Sequence, residues 1–210
     1  MTMAWIGNSP SYGKPTRKHD PRLLTDPDGV FRDFGYDIMR RAPDAEGHDV
    51  TAWLRRQLRM NTPGLVGAPL THAVPREDFV EDIFLVPDIC PSHLADAEAF
   101  WPTLQKDVLS PVQHLWGGPT FWFPEATSHH VPFRTVRRFI EDEIVQKLQT
   151  PAHLVAHDPI RVAGKGDYHV HVVISARAVG PRGLGKFVPA IVYRGCQRAM
   201  WRACSSFSAR

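Results

Sequence analysis

The stretch DYHVHVVISAR, residues 167–177, decides how the rest of the chain is read. Side chains along a strand alternate faces, so His169 and His171 project together roughly 7 Å apart, within reach of one metal ion. Two ligands do not make a site. Alternating histidines on the wet face of a sheet need no metal, and among 11 histidines some such spacing arises by chance. A third ligand comes from HLVAH, residues 153–157, where Leu154 and Ala156 take one face and His153, Val155 and His157 the other. If the two strands pair as a hairpin across the loop DPIRVAGKGDY, His157 completes a three-histidine cluster with an open coordination position. Catalytic metal sites have that form, whereas structural zinc is usually closed by four protein ligands, often cysteines. Imidazole suits zinc, manganese, iron, nickel or copper, so the ligand set leaves the metal open.

A chain of 210 residues is one domain, or one domain with an extension, and is long enough to bury a proper core. Nineteen prolines make it loop-rich. The formal net charge is only +3, and the clustering of arginine leaves room for a locally basic face toward an acidic partner. Cys90, Cys196 and Cys204 are odd in number and lack CxxC spacing, which points to a reducing compartment without a disulfide framework. No apolar run approaches the roughly 20 residues that span a bilayer, and MTMAWIGNSP has no signal-peptide core; a soluble cytoplasmic protein is expected. P-loop, GxGxxG, GxSxG and HExxH motifs are absent, as are repeats and heptads, which removes several common enzyme classes.

Residues 1–29 are rich in turn formers around Lys14, Arg17, Lys18, His19 and Arg22 and read as an extended or disordered segment. In GVFRDFGYDIMRR, residues 29–41, Val30, Phe31, Phe34 and Ile38 fall near helical spacing. HDVTAWLRRQLRM, residues 48–60, reads as an amphipathic helix with Arg55, Arg56 and Arg59 outside, and 61–75 as loop. A strand is expected over DFVEDIFLVP, then a helix from near Ser92 that Pro102 kinks or divides, then a short aromatic strand in PTFWFPEA. The clearest helix is VPFRTVRRFIEDEIVQKLQTP, with Phe133, Val136, Ile140, Ile144 and Leu148 on one side. After Arg177, AVGPRGLGKFVPAI reads as a turn-rich loop, and Arg194, Arg198 and Arg202 recur every four residues on a basic C-terminal helix. The Ser-rich end suggests a longer protein that is truncated or whose reading frame has diverged. The order predicts an α+β domain over 30–190, a mostly antiparallel sheet with helices on one face, and a basic helical tail over 191–210.

HLVAHDPIRVAGKGDYHVHVVISARAVGPRGLGKF, residues 153–187, resembles the MobA/MobL family of plasmid mobilisation relaxases, members of the HUH endonucleases. The elements that match are His157, the GKGD turn, His169, His171, Arg177 and the segment Gly183-Leu184-Gly185. IFLVPDICPSHLADAEAFW and FWFPEATSHHVPFRTVRRFIEDEIV are more weakly similar to the family's preceding strand–helix units, so the resemblance covers roughly 79–187.

The resemblance implies a relaxase/HUH-like fold and nicking of one DNA strand at a plasmid transfer origin, followed by rejoining. The strand is held meanwhile as a covalent 5′-phosphotyrosine. It implies a divalent metal ion (Mn, Mg or Zn) on His157, His169 and His171. Its partners would be single-stranded DNA at the origin and accessory mobilisation proteins, with Arg177, Lys165, Lys186 and Arg134 on the DNA. Tyr36 is the first candidate nucleophile and Tyr12 the reserve, while Tyr168 alternates away from His169. The chain departs from the family at its N-terminus, which keeps at most a vestige of the opening strand, and at Thr120, where an acidic residue is common. Those departures motivate an alternative, a degenerate relaxase-like domain that binds single strands without cleaving them. An unrelated metal hydrolase with the same three histidines is the remaining rival.

Overall fold

The computed structural model describes residues 33–40, 78–107, 114–193 and 195–208. At its centre β4 (Ala152–His157) and β5 (Tyr168–Ser175) form the antiparallel hairpin expected from the two histidine-bearing segments. Around them lie β1 (Phe34–Arg40), β2 (Phe79–Leu85) and β3 (His114–Phe123), in the order β1-β3-β5-β4-β2 with every neighbouring pair antiparallel.

Period-two alternation divides the sheet into two faces. On one, Phe34, Tyr36 and Ile38 of β1, Phe121 of β3, Leu154 and Ala156 of β4, and Val170, Val172 and Ile174 of β5 form the main core. Helix α2 covers it, running over His130–Ile140 and on through a π-helical turn at Glu141–Val145 and a last turn at Gln146–Leu148. Phe133, Val136, Ile140 and Ile144 are buried there at helical spacing, and the helix stops at Gln149, whose φ of 56° is left-handed. The C-terminal helix packs on the same core through Cys196 and Met200. On the opposite face, α1 (Ala97–Lys106) buries Phe100, Trp101 and Leu104 against Trp116 and Val173. Asp96 caps α1 by accepting from the Glu98 N–H, so the helix starts later than Ser92, which lies in a 3-10 turn; it runs unbroken through Pro102. Helices therefore lie on both faces of this α+β sheet, because both faces carry apolar residues, a correction to the one-sided arrangement expected.

Two further expectations change. FGYDIMR is a strand and not a helix: Phe34, Tyr36 and Ile38 fit a period of two as well as Phe34 and Ile38 fit a helical one, and the open edge of β3 supplies backbone partners that a helix would forgo. AVGPRGLGKF is not a loop but contributes to a hairpin of β6 (Arg177–Gly180) and β7 (Gly183–Phe187), turned at Pro181-Arg182 with Gly183 at φ 123°. The aromatic strand expected at PTFWFPEA begins earlier, at His114, and runs through Gly117-Gly118-Pro119. A Cβ on Gly118 would lie 1.8 Å from the Val172 carbonyl oxygen, so only glycine lets β3 approach β5 so closely. The amphipathic segment 48–60 and the loop 61–75 lie outside the described residues. Among the described residues no helix is long and apolar enough to cross a membrane.

Candidate metal centre

Register places the three histidines. His157 pairs with His169 across β4–β5, and His171, two residues on, shares their face. Their ring centroids lie 4.9 to 5.2 Å apart, and their ligand atoms all fall within 4.8 Å of one another. His157 is fully buried, while His169 and His171 are half-buried. Asp158, next along the chain, pins the end of β4. It is held by His129 Nε2 at 3.0 Å and by Arg161 Nε at 3.1 Å, which ties the start of the β4–β5 loop to the start of α2.

The orientation of the rings fits a cation. His169 Nδ1 lies 2.9 Å from the Asp167 carbonyl, an acceptor only, so Nδ1 carries the proton and Nε2 keeps its lone pair. His171 Nδ1 lies 2.8 Å from Thr120 Oγ1, and a hydroxyl that accepts there leaves Nε2 of His171 as the ligand. His157 Nδ1 and His169 Nε2 are 3.4 Å apart. Two nitrogens bound tetrahedrally at about 2.1 Å from one ion would stand about 3.4 Å apart. The residues present therefore suit a divalent metal held by three imidazoles, without selecting which.

The sheet continues the site sideways. One row across four strands reads Phe79, His157, His169, Trp122, and the next reads Asp82, Val155, His171, Thr120. Trp122 lies 6.4 Å from the His169 ring, tilted by 31°, and Phe79 packs on Val155. His153 shares the face but is engaged elsewhere, 2.7 Å from Asp82. Asp37 is also on this side, opposite Gly118, with burial pushing its carboxyl up to about 7. It does not join the cluster: among the described residues, His157, His169 and His171 are the one group of three or more His, Cys, Asp or Glu side chains placed to share a metal.

The tyrosines are placed elsewhere. Tyr36 is buried in the main core on the opposite face, where its hydroxyl donates to the Ile191 carbonyl at 2.8 Å and burial raises its pKa well above the ordinary range. The structure does not bring it to the histidines, because its alternation with Gly35 and Asp37 sends it to the other side of the sheet. Tyr168 belongs to the same core as Tyr36. Tyr12 lies outside the described residues. Arg177 is buried and donates to the carbonyls of Gly185 at 2.7 Å and Asp107 at 2.9 Å, so it fastens the β6–β7 hairpin to the end of α1 and is not presented to a phosphate. Lys165 is exposed in the loop before His169, Lys186 is exposed on β7, and Arg134 is exposed on α2, the helix of the opposite face.

Thr120, which holds His171, and the flanking aromatics Trp122 and Phe79 are not visible in the motif itself. Thr120 and Trp122 alternate in TFW onto one face, but only the register with β5 shows that the face is the one carrying the histidines. No family model matches the chain, and no curated protein matches it. Among solved structures the chain is similar to one described as "Molecular Basis of Vancomycin Resistance Transfer in Staphylococcus aureus". The TM-score is 0.48 and the identity 11%, over 62% of this chain and 66% of that one.

Proposed function

We propose that the chain is a relaxase-type DNA-processing domain whose three histidines hold a divalent cation against one phosphate of single-stranded DNA. The observation that carries this reading is the convergence of His157, His169 and His171, two of them with Nδ1 engaged by Asp167 and Thr120, so that their Nε2 atoms turn toward a common point. The sequence resemblance around the same histidines supports it. A metal held there supplies Lewis acidity to a phosphate oxygen. The chain's own residues do the rest: His157 fixes the floor of the site, His169 and His171 face the more open side, and Lys165 adds positive charge in the adjoining loop.

Cutting requires a nucleophile at that point. Tyr36 and Tyr168 face the other side, and Tyr193 precedes the C-terminal helix that packs there, so a nicking enzyme needs Tyr12. The burial of Tyr36 favours a second reading, a domain that binds single strands without cleaving them. DNA at a plasmid transfer origin and accessory mobilisation proteins are the partners proposed for either form.

Labelled single-stranded origin DNA incubated with the protein and Mn²⁺ or Mg²⁺ separates the readings. A covalent adduct that disappears in Tyr12→Phe establishes nicking. Salt-sensitive binding without adduct establishes the second reading. Absence of binding to single strands, with or without metal, refutes both.

A further inference from the structure

We infer that Trp122 and Phe79 are base-stacking platforms on either side of the metal centre, taking the two nucleobases that flank the metal-held phosphate. The inference rests on the single-stranded DNA reading above and adds the surface that would grip the bases.

Its basis is the end row of the sheet. Phe79 stands opposite His157, His157 opposite His169, and His169 opposite Trp122, so one aromatic side chain follows each outer ligand. Each lies one strand spacing, about 4.8 Å in backbone terms, beyond a histidine. Both are half-buried, whereas Trp116 on the same face is fully buried under α1. Helix α1 begins at Ala97, which packs with Phe79 on Val155, one row below the end row; Trp122 does not belong to the cluster that α1 buries.

The neighbours of Trp122 sharpen the point. Phe121 and Phe123 pack on the main core, which leaves Trp122 as the aromatic of that segment turned to the histidine side. In an unpaired strand each base hangs one sugar away from the backbone phosphate. With its backbone running across the strands, a phosphate centred on the three histidines carries one base toward β3 and the other toward β2. Aromatic faces at those two places stack on any base, which gives sequence-tolerant grip beside a sequence-blind phosphate contact.

The test compares oligothymidylate with an abasic oligonucleotide of equal length, by fluorescence anisotropy at fixed salt and saturating Mn²⁺. It uses wild type, Trp122→Leu, Trp122→Phe, Phe79→Leu and the double leucine variant, with Mn²⁺ affinity measured by calorimetry on each protein alone. Each leucine substitution is expected to narrow the preference for thymidylate over the abasic strand by roughly 5- to 150-fold. Trp122→Phe should retain most of it, and abasic binding and Mn²⁺ affinity should stay as in wild type. A double variant that keeps the full preference overturns the inference and leaves the DNA reading standing. So does equal weakening on both oligonucleotides together with lost Mn²⁺ binding, which would make the aromatics packing for the histidines. If wild type binds neither strand, the DNA reading itself fails, visibly so before any substitution is made.

Discussion

Replacing Thr120 by valine removes the hydroxyl that holds His171 while keeping the side chain's volume in a strand that favours β-branched residues. The position is 5% exposed, so water cannot readily replace the lost partner. Loss of such an outer partner typically weakens metal binding about 10- to 100-fold. The effect is readable as stability, because a metal that binds only the folded state at 100 times its Kd stabilises it by about 2.7 kcal/mol. With binding weakened about 30-fold at the same concentration, the gain falls to about 0.9 kcal/mol. For a chain of 210 residues each kcal/mol moves the melting temperature by about 2–4 °C. Wild type should therefore rise by about 5–11 °C on metal addition and Thr120→Val by about 2–4 °C. Thermal melting by circular dichroism, with and without Mn²⁺ or Zn²⁺, measures this, and Thr120→Ser should restore most of the wild-type shift. A valine variant with the full wild-type shift would refute the role given to Thr120. Wild type with no shift for any divalent metal would refute the metal centre.

Tyr36→Phe deletes a buried hydrogen bond to the Ile191 carbonyl and should cost about 1–2 kcal/mol in urea denaturation. Binding of single strands by the folded variant should be unchanged; its loss would contradict the placement of Tyr36. Asp37→Asn tests a carboxyl pushed up to about 7 from an ordinary 3.8. A folded pKa above the unfolded one means relative stability that is complete below about pH 4 and lost as pH rises through 7, so the asparagine variant should match wild type at low pH and exceed it at pH 8. At about 1.36 kcal/mol per pKa unit the ceiling is about 4 kcal/mol, and the partial exposure of Asp37 reduces the expected gain to about 1–2 kcal/mol. Equal urea midpoints at pH 8 would show that the carboxylate is solvated. Gly118→Ala puts a Cβ 1.8 Å from the Val172 oxygen and should abolish soluble folded protein; a variant melting like wild type would mean β3 and β5 are farther apart.

The histidine cluster was legible because its signal is local. HVH and HLVAH each show the alternation within five residues, and the hairpin between them closes over a short loop. Helix α2 was legible for the same reason, since Phe133, Val136, Ile140 and Ile144 report one face within three turns. What was hidden depends on distant partners. FRDFGYDIM fits a helix through Phe31, Phe34 and Ile38 and a strand through Phe34, Tyr36 and Ile38, and the tie is broken by β3, more than seventy residues on. Thr120 and His171 are 51 residues apart and meet only through register. GPRGLG carries the residues of a loop, and they form the turn and first positions of a hairpin whose other strand begins at Arg177.

The same alternation that gathers the three histidines also decides which side of the sheet Tyr36 takes. Leu154, Ala156, Val170 and Val172 are at most 2% exposed on one face, and the three histidines stand on the other. A one-residue slip of β4 against β5 would bury His157 among aliphatics, so packing worth about 1.5–3 kcal/mol per large side chain holds the ligands in register. In β1 this logic works against catalysis by Tyr36. To turn its hydroxyl to the histidine face, β1 would have to expose Phe34 and Ile38, now 3% and 0% exposed, and carry Gly35 and Asp37 into the core. Two large apolar side chains lost to water cost about 3–6 kcal/mol, before the penalty of burying a carboxylate among Phe121, Phe139 and Ile140. Tyr36 is thus held away from the three histidines by the packing that forms the sheet, and any strand-cutting hydroxyl would have to reach them from outside β1.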